Sequence, residues 1–302
     1  MEKYTGWVNE FLDQYAPSYK SAKVAKSKAK QPVTDEDKAY SQFLDDIFVL
    51  ANDSIKFKLP DDAKLFEIPQ GLLIQDSLKD YVGQTLHLPF PKVALEFMVE
   101  FADGVRVPYI VFAEEQGQNI RIFIAFKTPS STQWSMYRGL TTLMDVDDYS
   151  TDIKFTAPFA HIEDELAKDE ELRQRVFTTV EIGISALAQF LCALACGNVN
   201  ISDDDVKPSA VKQTMRKNKN KIPFYSYKVL TIKVGDNPTD VVKLKADSET
   251  VSHGGNGEKG TKRSHLRRGH IRKYQSGLKI WVNACAVGSK KKGVVDKSYE
   301  LK

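Results

Sequence analysis

Two histidines beside a pair of arginines are the strongest indication of a reaction in this chain. His265 and His270 lie five positions apart, with Arg267 and Arg268 between them. In a metal-independent ribonuclease, one imidazole removes the 2′-hydroxyl proton, another protonates the leaving oxygen, and a cation stabilises the phosphorane. Histidine suits both roles because its pKa is near neutral. The alternatives are that these side chains only contact phosphates, or that His270 makes a structural hydrogen bond.

Metal binding is a weaker interpretation of the same region. His265, His270 and Cys285 have no fourth ligand at a spacing familiar from zinc sites. Cys192 and Cys196 lie in an apolar helical pattern, which favours buried structural thiols. We therefore predict no metal and no other cofactor.

Carboxylates offer a second route to a nuclease. Glu96 could be brought to Glu114, Glu115 and Lys127 from strand ends, which is how many two-metal sites are assembled. However, a chain with 40 acidic residues offers such combinations by chance, and solvation or helix capping is the expected role. We assign no reaction, and a nuclease is the enzyme class to test.

The charge is divided unequally along the chain. Residues 207–302 contain 23 basic and 7 acidic side chains, a net charge of +16. Residues 1–206 contain 20 basic and 33 acidic side chains, a net charge of −13. This asymmetry predicts an anionic partner for the basic part. Because Arg and Lys match phosphate oxygens, nucleic acid, either DNA or RNA, is the partner we expect first.

The predicted phosphate contacts fall into two stretches of the basic part. The first comprises Arg263, His265, Arg267, Arg268, His270, Arg272 and Lys273. The second comprises Lys212, Arg216, Lys217, Lys219 and Lys221. Tyr274 and Trp281 could add base stacking. Two alternatives stay open: charge pairing with the acidic part, within one chain or between subunits, and an acidic protein partner.

Hydrophobic periodicity predicts an α+β fold. Helical spacing predicts two N-terminal helices, over residues 1–16 and 35–51. Residues 163–196, apolar nearly all round in their later part, predict a long buried helix packed on a sheet. The C-terminal strands either extend that sheet or form a small barrel. Period-two runs predict the antiparallel sheet itself, with turns at Asp103-Gly104 and Gln116-Gly117: Lys64–Ile74, Gln84–Phe101, Arg106–Glu114 and Asn119–Lys127.

Three regions are predicted along the chain. Residues 1–52 form helices and a linker, residues 53–206 an acidic α+β core, and residues 207–302 a basic β-rich region. No apolar run approaches the roughly 20 residues of a membrane span, and the N-terminus lacks a signal-peptide pattern. Three cysteines suit a reducing compartment, so we expect a cytoplasmic protein without membrane contact. The opposed charges also favour a homo-oligomer.

A resemblance is carried by the last third of the chain. Residues 263–272 read R-x-H-x-R-R-G-H-x-R and are followed by Trp281-Val282, while residues 215–230 form a second familiar stretch. Together these resemble a group of phage and prophage proteins without an established activity, and Pro89–Phe97 resembles an N-terminal element of that group. The resemblance implies a phage origin and the cytoplasm of a bacterial host. It implies no catalytic residue.

Three functions follow as hypotheses. The first is a phage nucleic-acid-binding protein that uses the basic C-terminal region. The second is an interaction protein that inhibits or redirects a host protein, such as a defence component. The third is a metal-independent ribonuclease centred on His265 and His270.

Overall fold

The structure is a computed structural model in which fourteen stretches of the chain are described. These are residues 6–15, 35–65, 74–82, 85–128, 131, 133–137, 139–155, 166–201, 206–233, 241–243, 263–267, 270–282, 285–287 and 289–294.

A seven-stranded sheet lies at the centre of these residues. Its strands are β1 (Ile55–Lys58), β2 (Lys92–Glu100), β3 (Arg106–Gln116), β4 (Asn119–Lys127), β5 (Trp134–Ser135), β6 (Leu140–Asp145) and β7 (Thr151–Phe155). The order is β1-β2-β3-β4-β6-β7, and β5 pairs with β4. All neighbours are antiparallel except β1, which runs parallel to β2.

Two glycines make the turns of the central meander. Gly104, between β2 and β3, has φ +77°, and Gly117, between β3 and β4, has φ +61°. Both values lie in the left-handed region that glycine adopts without a steric penalty. The predicted turns at Asp103-Gly104 and Gln116-Gly117 are confirmed.

Five helices surround the sheet within the described ranges, apart from short helical turns. They are α1 (7–15), α2 (Asp35–Asp53), α3 (Ile74–Tyr81), α4 (Glu170–Leu194) and α5 (Ala210–Asn218).

Helix α4 packs against one face of the sheet. It begins at Asp169, whose side chain accepts a hydrogen bond from the Leu172 amide at 2.9 Å. At Gly183 the helix comes so close to the sheet that a Cβ atom would lie 2.3 Å from Ile124 Cδ1. By length and composition α4 could cross a membrane, but 67% of its apolar window is buried inside the protein. The predicted long buried helix is confirmed.

The N-terminal helices α1 and α2 cover the opposite face of the sheet. Side chains alternate between the two faces along a strand, so Leu95 and Val111 join the core under α4. Their neighbours Ala94 and Ile110 join a second core with α1 and α2. The sheet is therefore buried on both faces.

Within the described ranges, the C-terminal strands form three small sheets. Their members are β8 (Val199–Ile201), β9 (Leu230–Lys233), β10 (Val241–Lys243), β11 (Arg263–Arg267), β12 (His270–Lys273), β13 (Lys279–Val282), β14 (Cys285–Val287) and β15 (Ser289–Val294). Strand β9 lies between β8 and β10, β11 lies between β14 and β15, and β12 pairs with β13. Among the described residues, a parallel bridge joins Phe57 of β1 to Lys228, which lies two residues before β9. The described strands close no barrel, and the α+β class is confirmed.

Two details of the predicted sheet are wrong. Strand β1 runs parallel to β2 and not antiparallel to it. A parallel pair cannot be connected by a hairpin, and the chain between these two strands contains α3. The predicted strand Lys64–Ile74 is absent at both described ends, since Lys64 lies outside any strand and Ile74 begins α3; residues 66–73 lie outside the described residues. Helix α3 buries Leu78 completely.

Candidate functional surface: two basic regions

The first basic region is helix α5 with the residues up to Lys221. Ser209 accepts a hydrogen bond from the Lys212 amide at 3.3 Å and so caps the N-terminus. Arg216 and Lys217 occupy the last turn, where positive charge suits the helix dipole. The sequence of this stretch therefore favours a helix at both ends.

Arg216 holds α5 against α1. Its Nη1 and Nη2 atoms each lie 2.8 Å from a carboxylate oxygen of Asp13, and its Nε atom donates to Ile222 O at 2.5 Å. The guanidinium also lies 4.4 Å from the centre of the Phe224 ring. Arg216 is 8% exposed, so this guanidinium already has its partners inside the protein. The phosphate contact assigned to it from sequence stays a prediction.

Asp13 is the carboxylate that pairs with two cations of this region, Arg216 and Lys221. Partial burial raises its pKa, but the hydrogen bonds and charges of Arg216 and Lys221 outweigh burial and lower the pKa overall. Lys221 Nζ lies 3.1 Å from Asp13 Oδ2. The sequence gives no sign of this pair, because its members lie 203 positions apart.

Side-chain amides fix the segment that follows α5. Gln213 donates to Phe224 O at 2.8 Å and accepts from Phe224 N at 2.9 Å. Asn9 of α1 donates to Pro223 O at 2.9 Å and accepts from Tyr225 N at 3.1 Å. Each amide replaces two backbone partners that an irregular segment would otherwise lack.

Buried polar groups also connect α1 and the segment after α5 to the central sheet. Glu96 of β2 is fully buried and accepts hydrogen bonds from Val8 N at 2.6 Å and from the Tyr227 hydroxyl. Lys56 of β1 donates to Asn52 O at 2.8 Å and to Ser54 O at 2.5 Å. Burial lowers the pKa of Lys56 to about 8, partly offset by Asp53 and Glu96.

These contacts give structural partners to the carboxylates considered for a nuclease. Glu96 binds Val8 and Tyr227, Glu114 pairs with Arg121, and Lys127 Nζ lies 2.6 Å from Glu10 Oε2. Among the described residues, no three His, Cys, Asp or Glu side chains are grouped to hold a metal.

The remaining cations of the first region point outward. Lys212, Lys217 and Lys219 are exposed on α5 and its C-cap. Val211 and Met215 of the same helix are 71% and 55% exposed. This region therefore exposes three lysines and two apolar side chains.

The second basic region is the hairpin of β12 and β13. Ile271 pairs with Trp281 and Lys273 with Lys279. Ile271 is buried in the core under α4, and Gly197 N donates to Lys279 O at 2.9 Å. The hairpin is thereby attached to the C-terminal end of α4.

The turn of the hairpin presents a cationic and aromatic surface. Arg272, Lys273, Tyr274 and Leu278 are exposed, and Tyr274 N donates to Leu278 O at 2.8 Å to close the turn. Arg and Lys beside an exposed ring are the groups that contact phosphates and stack on bases. The phosphate contacts assigned to Arg272 and Lys273 from the sequence stay a prediction.

The two histidines lie on different small sheets. His265 of β11 pairs with Val287, whereas His270 of β12 pairs with Val282. Arg263 and Arg267 are on β11 as well, and Arg268 lies outside the described residues. The side chains of His265 and His270 are also outside the description, so the ribonuclease site stays a prediction.

Contacts across the predicted region boundaries are extensive. Asp13 pairs with Arg216, and Glu96 accepts from Tyr227, so residues after 207 contact both earlier regions. The division into 1–52, 53–206 and 207–302 stays a prediction.

Comparison with known proteins gives one result. No curated protein and no solved structure matches the chain. Residues 40–289, more than four fifths of the sequence, match the model of the AcrVA2-like family. The chain therefore belongs to the anti-CRISPR type V subtype A2 family.

Proposed function

We propose that this protein is a phage inhibitor of a type V CRISPR system and acts in the cytoplasm of the bacterial host. The observation that carries the proposal is the family match over residues 40–289. The exposed basic residues lie on folded helices and strands, so they lose little conformational entropy when a host protein or complex binds them. Inhibition through such contact requires no reaction.

Phage plating tests this proposal. Cells with a type V system that targets a phage are compared with and without the protein, and we expect the protein to restore plaque formation to that of an untargeted phage. A host whose CRISPR system is of another type is the control. Plating that stays low in the type V host would contradict the proposal.

Nucleic-acid contact by the hairpin is a second candidate function. The exposed Arg272, Lys273 and Tyr274 favour it, since they combine charge with a stacking ring. We expect salt-sensitive binding to labelled single- or double-stranded DNA or RNA. The Arg272→Gln/Lys273→Gln variant should bind more weakly, with a log–log salt slope smaller by about 2. Absence of binding at low salt would exclude this candidate.

The same nucleic-acid samples test the ribonuclease hypothesis. RNA loss that survives EDTA and disappears in His270→Ala would establish it, whereas RNA that stays intact with the wild-type protein would reject it.

A further inference from the structure

Helix α5 exposes an apolar pair on the side that faces away from the protein. Gln213 and Arg216 hold the inner side of the helix through Phe224 and Asp13. At 3.6 residues per turn, the midpoint of Val211 and Met215 lies about 150° around the axis from the midpoint of those two residues. Their 71% and 55% exposure agrees with this placement.

The apolar pair is continuous because its members are four residues apart. Side chains at positions i and i+4 are neighbours on one face of a helix. Methionine adapts its shape to different partners and is enriched in the cores of protein interfaces. Phosphate groups offer no favourable contact to valine or methionine, so the pair favours a protein partner over a nucleic acid.

The charge around the pair defines the partner more closely. Residues 210–221 contain no acidic side chain. Lys212 and Lys219 are exposed and seven residues apart, so they lie along the same side of Val211 and Met215. A partner segment should therefore carry acidic residues beside its apolar ones.

The surface is also held in place. Asp13 and Gln213 fix the inner side of α5, so little conformational freedom is lost when its outer side binds a partner. An apolar pair with exposed lysines along one side of it, on a fixed helix, suits an amphipathic helix packed against that face.

We infer that the outer face of α5, centred on Val211 and Met215, is a docking surface for an acidic amphipathic segment of a protein component of the type V system. This inference rests on the proposed function and names the chemistry of the partner. It separates the two basic regions, with protein contact at α5 and phosphate contact at the hairpin.

Binding to the purified type V effector protein tests the inference. The full-length chain is measured against the effector with and without its guide RNA, and with nuclease treatment. We expect Val211→Ser/Met215→Ser to weaken binding about tenfold or more, because the variant has less apolar surface for the partner to bury. Lys212→Gln/Lys219→Gln should weaken binding by a smaller factor that shrinks as salt is raised.

Phe177→Ser is the matched control. Phe177 is 44% exposed on α4, on the other side of the sheet, so its replacement removes a comparable apolar group away from α5. All variants should keep the wild-type melting temperature, since the replaced side chains are exposed. Unchanged binding in Val211→Ser/Met215→Ser would overturn the inference. Binding that disappears on nuclease treatment would overturn it in favour of nucleic acid.

Phage plating distinguishes failure of the proposed function from failure of the docking surface. A wild-type protein that fails to protect phage in the type V host contradicts the proposed function. A wild-type protein that protects phage without binding the effector, or a Val211→Ser/Met215→Ser variant that protects fully, overturns only the docking inference.

Discussion

The two basic regions of this protein are attached to it by different means. Helix α5 is held by a buried ion pair and by side-chain amides, with Arg216 on Asp13 and Gln213 on Phe224. The hairpin of β12 and β13 is held mainly by an apolar side chain, Ile271, and by backbone contact with Gly197, with Lys279 Nζ 3.4 Å from Val82 O. In α5, one basic side chain is therefore buried in an ion pair while others are exposed. In β12, the described basic side chains are exposed. Charge alone does not separate these uses.

Removing the carboxylate partner should have the largest effect on this contrast. Asp13→Ala leaves the buried Arg216 without its anion, and we expect a loss of about 2–3 kcal/mol in the free energy of unfolding. Hydrogen exchange should speed up in α5 and not in β12. Chemical denaturation and exchange measure the two outcomes.

The same pair sets a limit at acid pH. Because the folded state lowers the pKa of Asp13, its stabilising contribution is present above 3.8 and is lost as pH falls through the lowered value. The Asp13→Ala variant should lack this part of the acid sensitivity. Equal acid sensitivity in both proteins would contradict the role assigned to the pair.

Alkaline pH should stabilise the folded protein through the buried Lys56 of β1. Lys56 has its pKa lowered from 10.5 to about 8, so the unfolded chain binds more protons between these values and stability rises with pH. Relative to Lys56→Met, the wild type should gain about 2 kcal/mol between pH 7.5 and pH 9.5. Urea denaturation at both pH values measures this difference, and a constant difference would contradict it.

The amide contact at Gln213 should have a smaller effect. Gln213→Ala removes both hydrogen bonds to Phe224, and we expect a loss of about 1–2 kcal/mol in the free energy of unfolding. Thr214→Ala, on the exposed side of α5, is the control and should change stability by less. A loss in Gln213→Ala no larger than in the control would show that water replaces the amide.

The smallest change in stability is expected at the hairpin. Arg272 and Lys273 are exposed, so Arg272→Gln/Lys273→Gln should alter the free energy of unfolding by no more than about 0.5 kcal/mol. Thermal denaturation checks this outcome. A larger loss would mean that these cations stabilise the fold, as Arg216 does, and would remove the contrast between the regions.

Local sequence patterns were enough to predict the features that depend on near neighbours. Apolar residues on nearly every side of the later part of α4 predicted that this helix is buried. The period of two in the hydrophobic pattern predicted the central strands. Gly104 and Gly117 marked turns because few other residues adopt their backbone angles. Helix α3 was missed because its eight residues form only a weak local pattern. The parallel direction of β1 depends on its pairing with β2, which local sequence does not specify.

The role of each cation in the basic part depends on how the folded protein packs around it. Arg216 and Lys217 are adjacent in sequence and equivalent in charge, yet one is buried and the other exposed. The difference arises from the rotation of α5 on the protein and from Asp13, which lies 203 positions away. A charge pattern records how many cations a stretch contains, whereas burial and pairing depend on long-range packing that brings particular partners together.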